Sequence, residues 1–106
     1  MLIELAIGDS FGAGYEFARH HVAPSLSDGY VAHPTHELIT GGTGIYTDDT
    51  QMSIAVAETM LRWRELGPSE TRILPHQEWF AEAFVDCFKR DERKGYAGRF
   101  YTFLCS

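Results

Sequence analysis

The sequence is short of several things. Among 106 residues there are only two cysteines, Cys87 and Cys105, with no CxxC pair. That excludes a disulfide framework, and a reducing cytoplasm is the expected compartment. Positive charge is scarce too: nine Lys and Arg against fifteen Asp and Glu leave a net charge of -6. Such a balance argues against nucleic acid or an anionic membrane as the main partner, and it suits cation binding. No apolar run approaches the ~20 residues that a membrane span needs. The opening "MLIELAIGDSFG" has no basic n-region, which makes it a poor signal peptide. Repeats, low-complexity tracts and convincing period-two alternation are also absent. What is present is globular: 44% hydrophobic and 13% aromatic residues, in a length that allows one domain with a modest core.

Helical spacing carries most of the chain. From Leu2 to about Arg19 the composition favours a helix, weakened by Gly8, Gly12 and Gly14. Glycines there suggest close approach by another backbone. On such a helix Asp9 and Glu16, seven apart, share a face. The stretch 20–46 reads as a long loop, punctuated by Pro24, Gly29, Pro34 and the run "TGGTG". A loop of that length in a compact domain suggests a purpose, such as lining a site. The clearest helix runs from about Asp49 to Leu66, with Met52, Val56, Met60 and Trp63 at helical spacing and Gly67-Pro68 as its stop. Another starts near Leu74, where Pro75 suits a first turn, and carries the apolar stripe Trp79, Phe80, Ala83, Phe84, Cys87 and Phe88. A last short helix is expected over Ala97–Leu104. The fold class is therefore all-α, with about four to five helices.

"YTDDTQMSIAVAE", Tyr46 to Glu58, holds the candidate chemistry. A side-chain oxygen ahead of a helix caps its exposed N–H groups, and Asp48 with Gln51 three residues later resembles a capping box. Capping, however, uses one side chain, whereas Thr47, Asp48, Asp49 and Thr50 offer four. Adjacent carboxylates repel unless a cation lies near them. Carboxylate and hydroxyl oxygens are hard ligands, suited to Mg²⁺, Mn²⁺ or Ca²⁺. Cap and half-built metal site both remain open on this segment alone.

Three motifs stand in order: "AIGDSFGAGYEF" (6–17), "YTDDTQMSIAVAE" (46–58) and "FKRDERKGYAGRFYTFL" (88–104). With them the chain resembles the ADP-ribosylglycohydrolase family, which includes the enzyme that removes ADP-ribose from dinitrogenase reductase. The resemblance implies an all-helical fold around a two-metal centre, usually Mg²⁺ or Mn²⁺, that cleaves the glycosidic bond joining ADP-ribose to an acceptor. By position in the motif it makes Thr47, Asp48 and Asp49 the metal ligands, with Asp48 and Asp49 catalytic through the metal. Glu16 matches the glutamate at the substrate end of the site, and a carboxylate there can act as base toward water. Asp9 matches an acidic position to which a structural role falls. The implied substrates are an ADP-ribosylated protein or a small ADP-ribose conjugate. The family's second metal-binding motif, of Asp-x-Asp-Thr type, is not found in this sequence. The expectation is thus one partial domain at 1–106, lacking the C-terminal metal-binding half. Its apolar faces would then meet one another, a second copy or a complementing C-terminal chain. The alternative function is a catalytically incomplete fragment that oligomerises or binds a partner.

Other residues have plainer readings. His33 and His36 flank a proline in a loop and read as surface histidines. Cys87, on the apolar stripe, reads as a buried thiol. Gly41, Gly42 and Gly44 lack a P-loop lysine and read as a flexible loop. The charges from Lys89 to Lys94 read as a solvated helix end and turn.

Overall fold

The structure, a computed structural model, describes residues 1–13, 45–67, 69 and 73–106. Among them are four helices: α1 Leu2–Ala13, α2 Asp48–Leu66, α3 Gln77–Arg90 and α4 Gly98–Cys105. No strand occurs among the described residues beyond one isolated bridge residue, Ser69. The all-α expectation holds. The segment 14–44, with the expected end of the first helix, Glu16, the four histidines from His20 to His36 and the glycine run, lies outside the described residues. Two compact units emerge. One holds Met1–Thr50 with Arg93–Gly95, and the other Gln51–Glu92 with Tyr96–Ser106.

In the second unit the core is small. Ala55, Cys87, Phe88 and Leu104 are its buried apolar side chains. α3 and α4 pack directly on each other, and aromatic edges fill the seam. Phe84 meets Phe100 at 5.8 Å, while Phe88 meets Tyr96 at 5.6 Å and Tyr101 at 5.8 Å, all T-shaped. That arrangement sets ring edges against the negative faces of their neighbours. The stripe expected from sequence is therefore the packing face. The helix carrying it begins later than expected. His76 is extended at the cap position and its carbonyl accepts the Trp79 N–H at 3.1 Å. Pro75 stands just outside the helix rather than in its first turn. The His76 ring also meets Trp79 edge-on at 5.0 Å. On α2, Val56, Met60, Leu61 and Leu66 are exposed, so part of that apolar pattern stays uncovered among the described residues.

Gln51 does not close a capping box. Its side-chain amide donates to the carbonyls of Cys87 at 2.9 Å and Asp91 at 2.5 Å, and its oxygen accepts the Tyr96 hydroxyl. The last carbonyls of a helix have no partner within it, and here the buried Gln51 supplies partners at the end of α3. Thr59, also buried, returns its hydroxyl to the Ala55 carbonyl at 2.9 Å. Cys87 is a buried thiol, as expected. Burial, then the charge of Glu58, pushes it up to about 11, so at neutral pH it is not a thiolate nucleophile.

Gln51→Leu keeps the volume but strips three hydrogen bonds, one buried and two part-buried. A stability loss of about 2 kcal/mol is expected in urea titrations, from carbonyls left unpaired. A loss below about 0.5 kcal/mol would show that water replaces the amide without cost.

Candidate functional site

α1 is apolar over most of its surface, and its Leu2, Ile3, Leu5 and Ile7 are exposed. No described atom lies within 4 Å of a Cβ built at Gly8 or Gly12, so the close approach expected there is not seen among the described residues. Asp9 on α1 makes long-range hydrogen bonds. One carboxylate oxygen, Oδ1, accepts the Thr47 hydroxyl at 2.6 Å. The other, Oδ2, accepts the Thr47 N–H at 2.8 Å, the Thr50 N–H at 3.2 Å and the Thr50 hydroxyl at 2.6 Å. Both threonines are buried. Four donors thus converge on one carboxylate, which has about four lone-pair sites.

This geometry revises the capping expectation. Asp48 is not the cap residue but the first residue of α2, and Asp49 is the second. Thr47 holds the cap position. Its hydroxyl points to Asp9, and the Asp9 carboxylate takes the Thr50 N–H, the third-position amide that a cap side chain normally accepts. The Asp48 N–H donates to the Lys94 carbonyl at 3.0 Å. The orphan N–H groups of this helix start are therefore met largely from elsewhere in the chain. The carboxylates of Asp48 and Asp49 therefore stand within the first turn of α2 and not at its cap position.

The Asp48 carboxylate is half-buried and Asp49 is exposed. Burial raises the Asp48 pKa above its ordinary value of 3.8, and the charge of Asp49 raises it further. The backbone N–H groups of Asp48 and Asp49 pull the other way without cancelling the shift. The strand of chain from Arg93 to Gly95 supports the same site. The Arg93 guanidinium lies 3.7 Å over the Tyr46 ring, and Gly95 has φ 108° with its Cα hydrogen facing Asp48. A Cβ at Gly95 would stand 2.9 Å from the Asp48 Cγ and closer still to its Oδ1.

The donor set fits a hard divalent cation from one side. Thr47, Asp48 and Asp49 are consecutive oxygen donors, and a cation would offset the burial and the neighbouring charge that raise Asp48. No three His, Cys, Asp or Glu side chains among the described residues group closely enough to enclose a metal.

Residues 1–103 match the family model described as ADP-ribosylglycohydrolase. The chain belongs to the ADP-ribosylglycohydrolase family. That family is generally metal-dependent. No curated protein and no solved structure matches the chain. No described helix is long and apolar enough to cross a membrane. Of the expected site residues, Thr47, Asp48 and Asp49 stand together at the start of α2, and Glu16 lies outside the described residues. Sequence reasoning missed two supports. The sequence gives Asp9 only a structural role, and the charges from Lys89 to Lys94 read as a solvated helix end and turn. The signal for Asp9 was a carboxylate on an apolar helix face. For 93–95 it was a lone glycine closing a charged run.

Two outcomes follow from this geometry. Gly95→Ala, forced into positive φ against a carboxylate, is expected to cost about 1–3 kcal/mol in chemical denaturation. A neutral result would mean the 93–95 segment moves away freely. For Asp48, the folded chain holds the proton more tightly than the unfolded chain does. Stability without metal should therefore fall as pH rises from 3.8 through the raised folded value. Asp48→Asn should flatten that part of the melting-temperature profile, and an unchanged profile would locate the titration elsewhere.

Proposed function

We propose that this chain hydrolyses ADP-ribosyl linkages with the help of Mg²⁺ or Mn²⁺, acting on an ADP-ribosylated protein or a small ADP-ribose conjugate. The observation that carries this reading is the helix start at Thr47–Thr50. Its N–H groups are capped from outside, yet it still presents two adjacent carboxylates. Family membership supplies the reaction class.

In this reading Thr47 Oγ1 and the carboxylates of Asp48 and Asp49 hold the cation. A bound divalent cation would bring Lewis-acid polarisation and an anchor for ribose hydroxyls. The carboxylates also place negative charge where an oxocarbenium-like transition state develops positive charge. Glu16, closing the "GDSFGAGYEF" motif, takes the role of base toward the attacking water. The remaining ligands come from another chain or from a further segment carrying the Asp-x-Asp-Thr type motif. The cytoplasm is the proposed compartment.

A second reading is favoured by one observation. Val56, Met60, Leu61 and Leu66 leave apolar area uncovered on α2, as in a catalytically incomplete chain that oligomerises or binds a partner.

Calorimetric titration of Mn²⁺ and Mg²⁺ into the wild type and Asp48→Ala/Asp49→Ala, with mass measured in the same samples, separates the two. The hydrolase reading expects micromolar binding that the double substitution abolishes, together with metal-dependent release of ADP-ribose. Absence of binding up to millimolar metal, with a dimeric or larger mass, would replace it by the second reading.

A further inference from the structure

Asp9 does more than join two pieces of backbone. An ionised carboxylate can only accept hydrogen bonds, and a backbone N–H can only donate. Four donors meet this one: two N–H groups and the hydroxyls of Thr47 and Thr50, the latter both at 2.6 Å. Each hydroxyl has a single proton, and both protons are committed to Asp9. Thr47 Oγ1 therefore turns only lone pairs toward its other neighbours. A hydroxyl without this constraint rotates to suit its surroundings and can present its proton instead.

We propose that Asp9 is a positioning residue for the cation site. By taking the Thr47 proton it makes Oγ1 an acceptor-only atom, and by taking the Thr47 and Thr50 N–H groups it sets the first turn of α2 in register beside it. The proposal rests on the metal reading above, with Thr47 as a ligand, and goes beyond it. A metal-binding threonine is selected by a carboxylate that itself touches no metal.

Two substitutions separate position from charge. Asp9→Asn is nearly isosteric, but it replaces one acceptor oxygen with an amide that donates. With two backbone N–H groups on the Oδ2 side, the amide must face Thr47, whose hydroxyl then accepts and turns its proton outward. Asp9→Glu keeps the charge and every acceptor site but moves them by one methylene, so any loss it causes is positional. Thr50→Val is the structural control. It removes one bond to Asp9 and some stability while leaving Thr47 in place.

The readout is Mn²⁺ affinity of the 106-residue chain by electron paramagnetic resonance of free Mn²⁺, with helix content followed by circular dichroism. Expected are at least a tenfold weaker affinity in Asp9→Asn, a several-fold weaker one in Asp9→Glu, and wild-type affinity in Thr50→Val despite a lower melting temperature. Should Asp9→Asn fail to fold, Asp9→Glu decides. Wild-type affinity in a folded Asp9→Glu overturns the positioning role and leaves the metal reading standing. Equal losses in Thr50→Val and the Asp9 variants overturn it as well, because stability alone would then govern affinity. If the wild type takes up no Mn²⁺ at millimolar concentration, the metal reading fails and the positioning role falls with it.

Discussion

One carboxylate organises the start of α2. Asp9 gathers four hydrogen bonds from Thr47 and Thr50, across 38 and 41 residues of sequence. A charged acceptor paired with several donors makes stronger bonds than neutral pairs do. It also stands at the positive end of α2, where an anion is favoured. Everything proposed about the site depends on this contact. Without it, Asp48 and Asp49 could be explained as caps. With it, they stand side by side in the first turn of α2, and the cap position is Thr47's.

That charge is held at a cost. Asp48 is half-buried next to Asp49, and its proton affinity rises accordingly. Gly95 lets the chain pass against the Asp48 carboxylate where a side chain would not fit. A protein that crowds two carboxylates and removes the side chain beside them has kept an unfavourable arrangement that a cation would relieve. Local conflict of this kind concentrates at functional sites. The second unit shows the opposite logic. Gln51, Tyr96 and the end of α3 satisfy one another, and the aromatic edges of α3 and α4 close a small core without surplus charge.

Much of this was legible in the residues. Helical periodicity located α2 to within a residue and α4 likewise, because apolar spacing follows the helix geometry directly. The order of the three motifs pointed to the family, and the match over residues 1–103 agrees. The start of α3 was misjudged, since Pro75 is equally compatible with a first turn and with the residue before a cap. Gln51 was misread for a similar reason. Its spacing from Asp48 fits a capping box, but spacing does not say which buried carbonyls lie within reach.

The sequence by itself determined the helical class, the apolar stripes and the cluster of oxygen donors at Thr47–Thr50, because each is a matter of residue type at short spacing. Only the tertiary structure decided how that cluster is held. Whether Asp48 caps the helix depends on who else supplies the cap. The supplier is Asp9, nearly forty residues away, joined by contacts that no local pattern encodes.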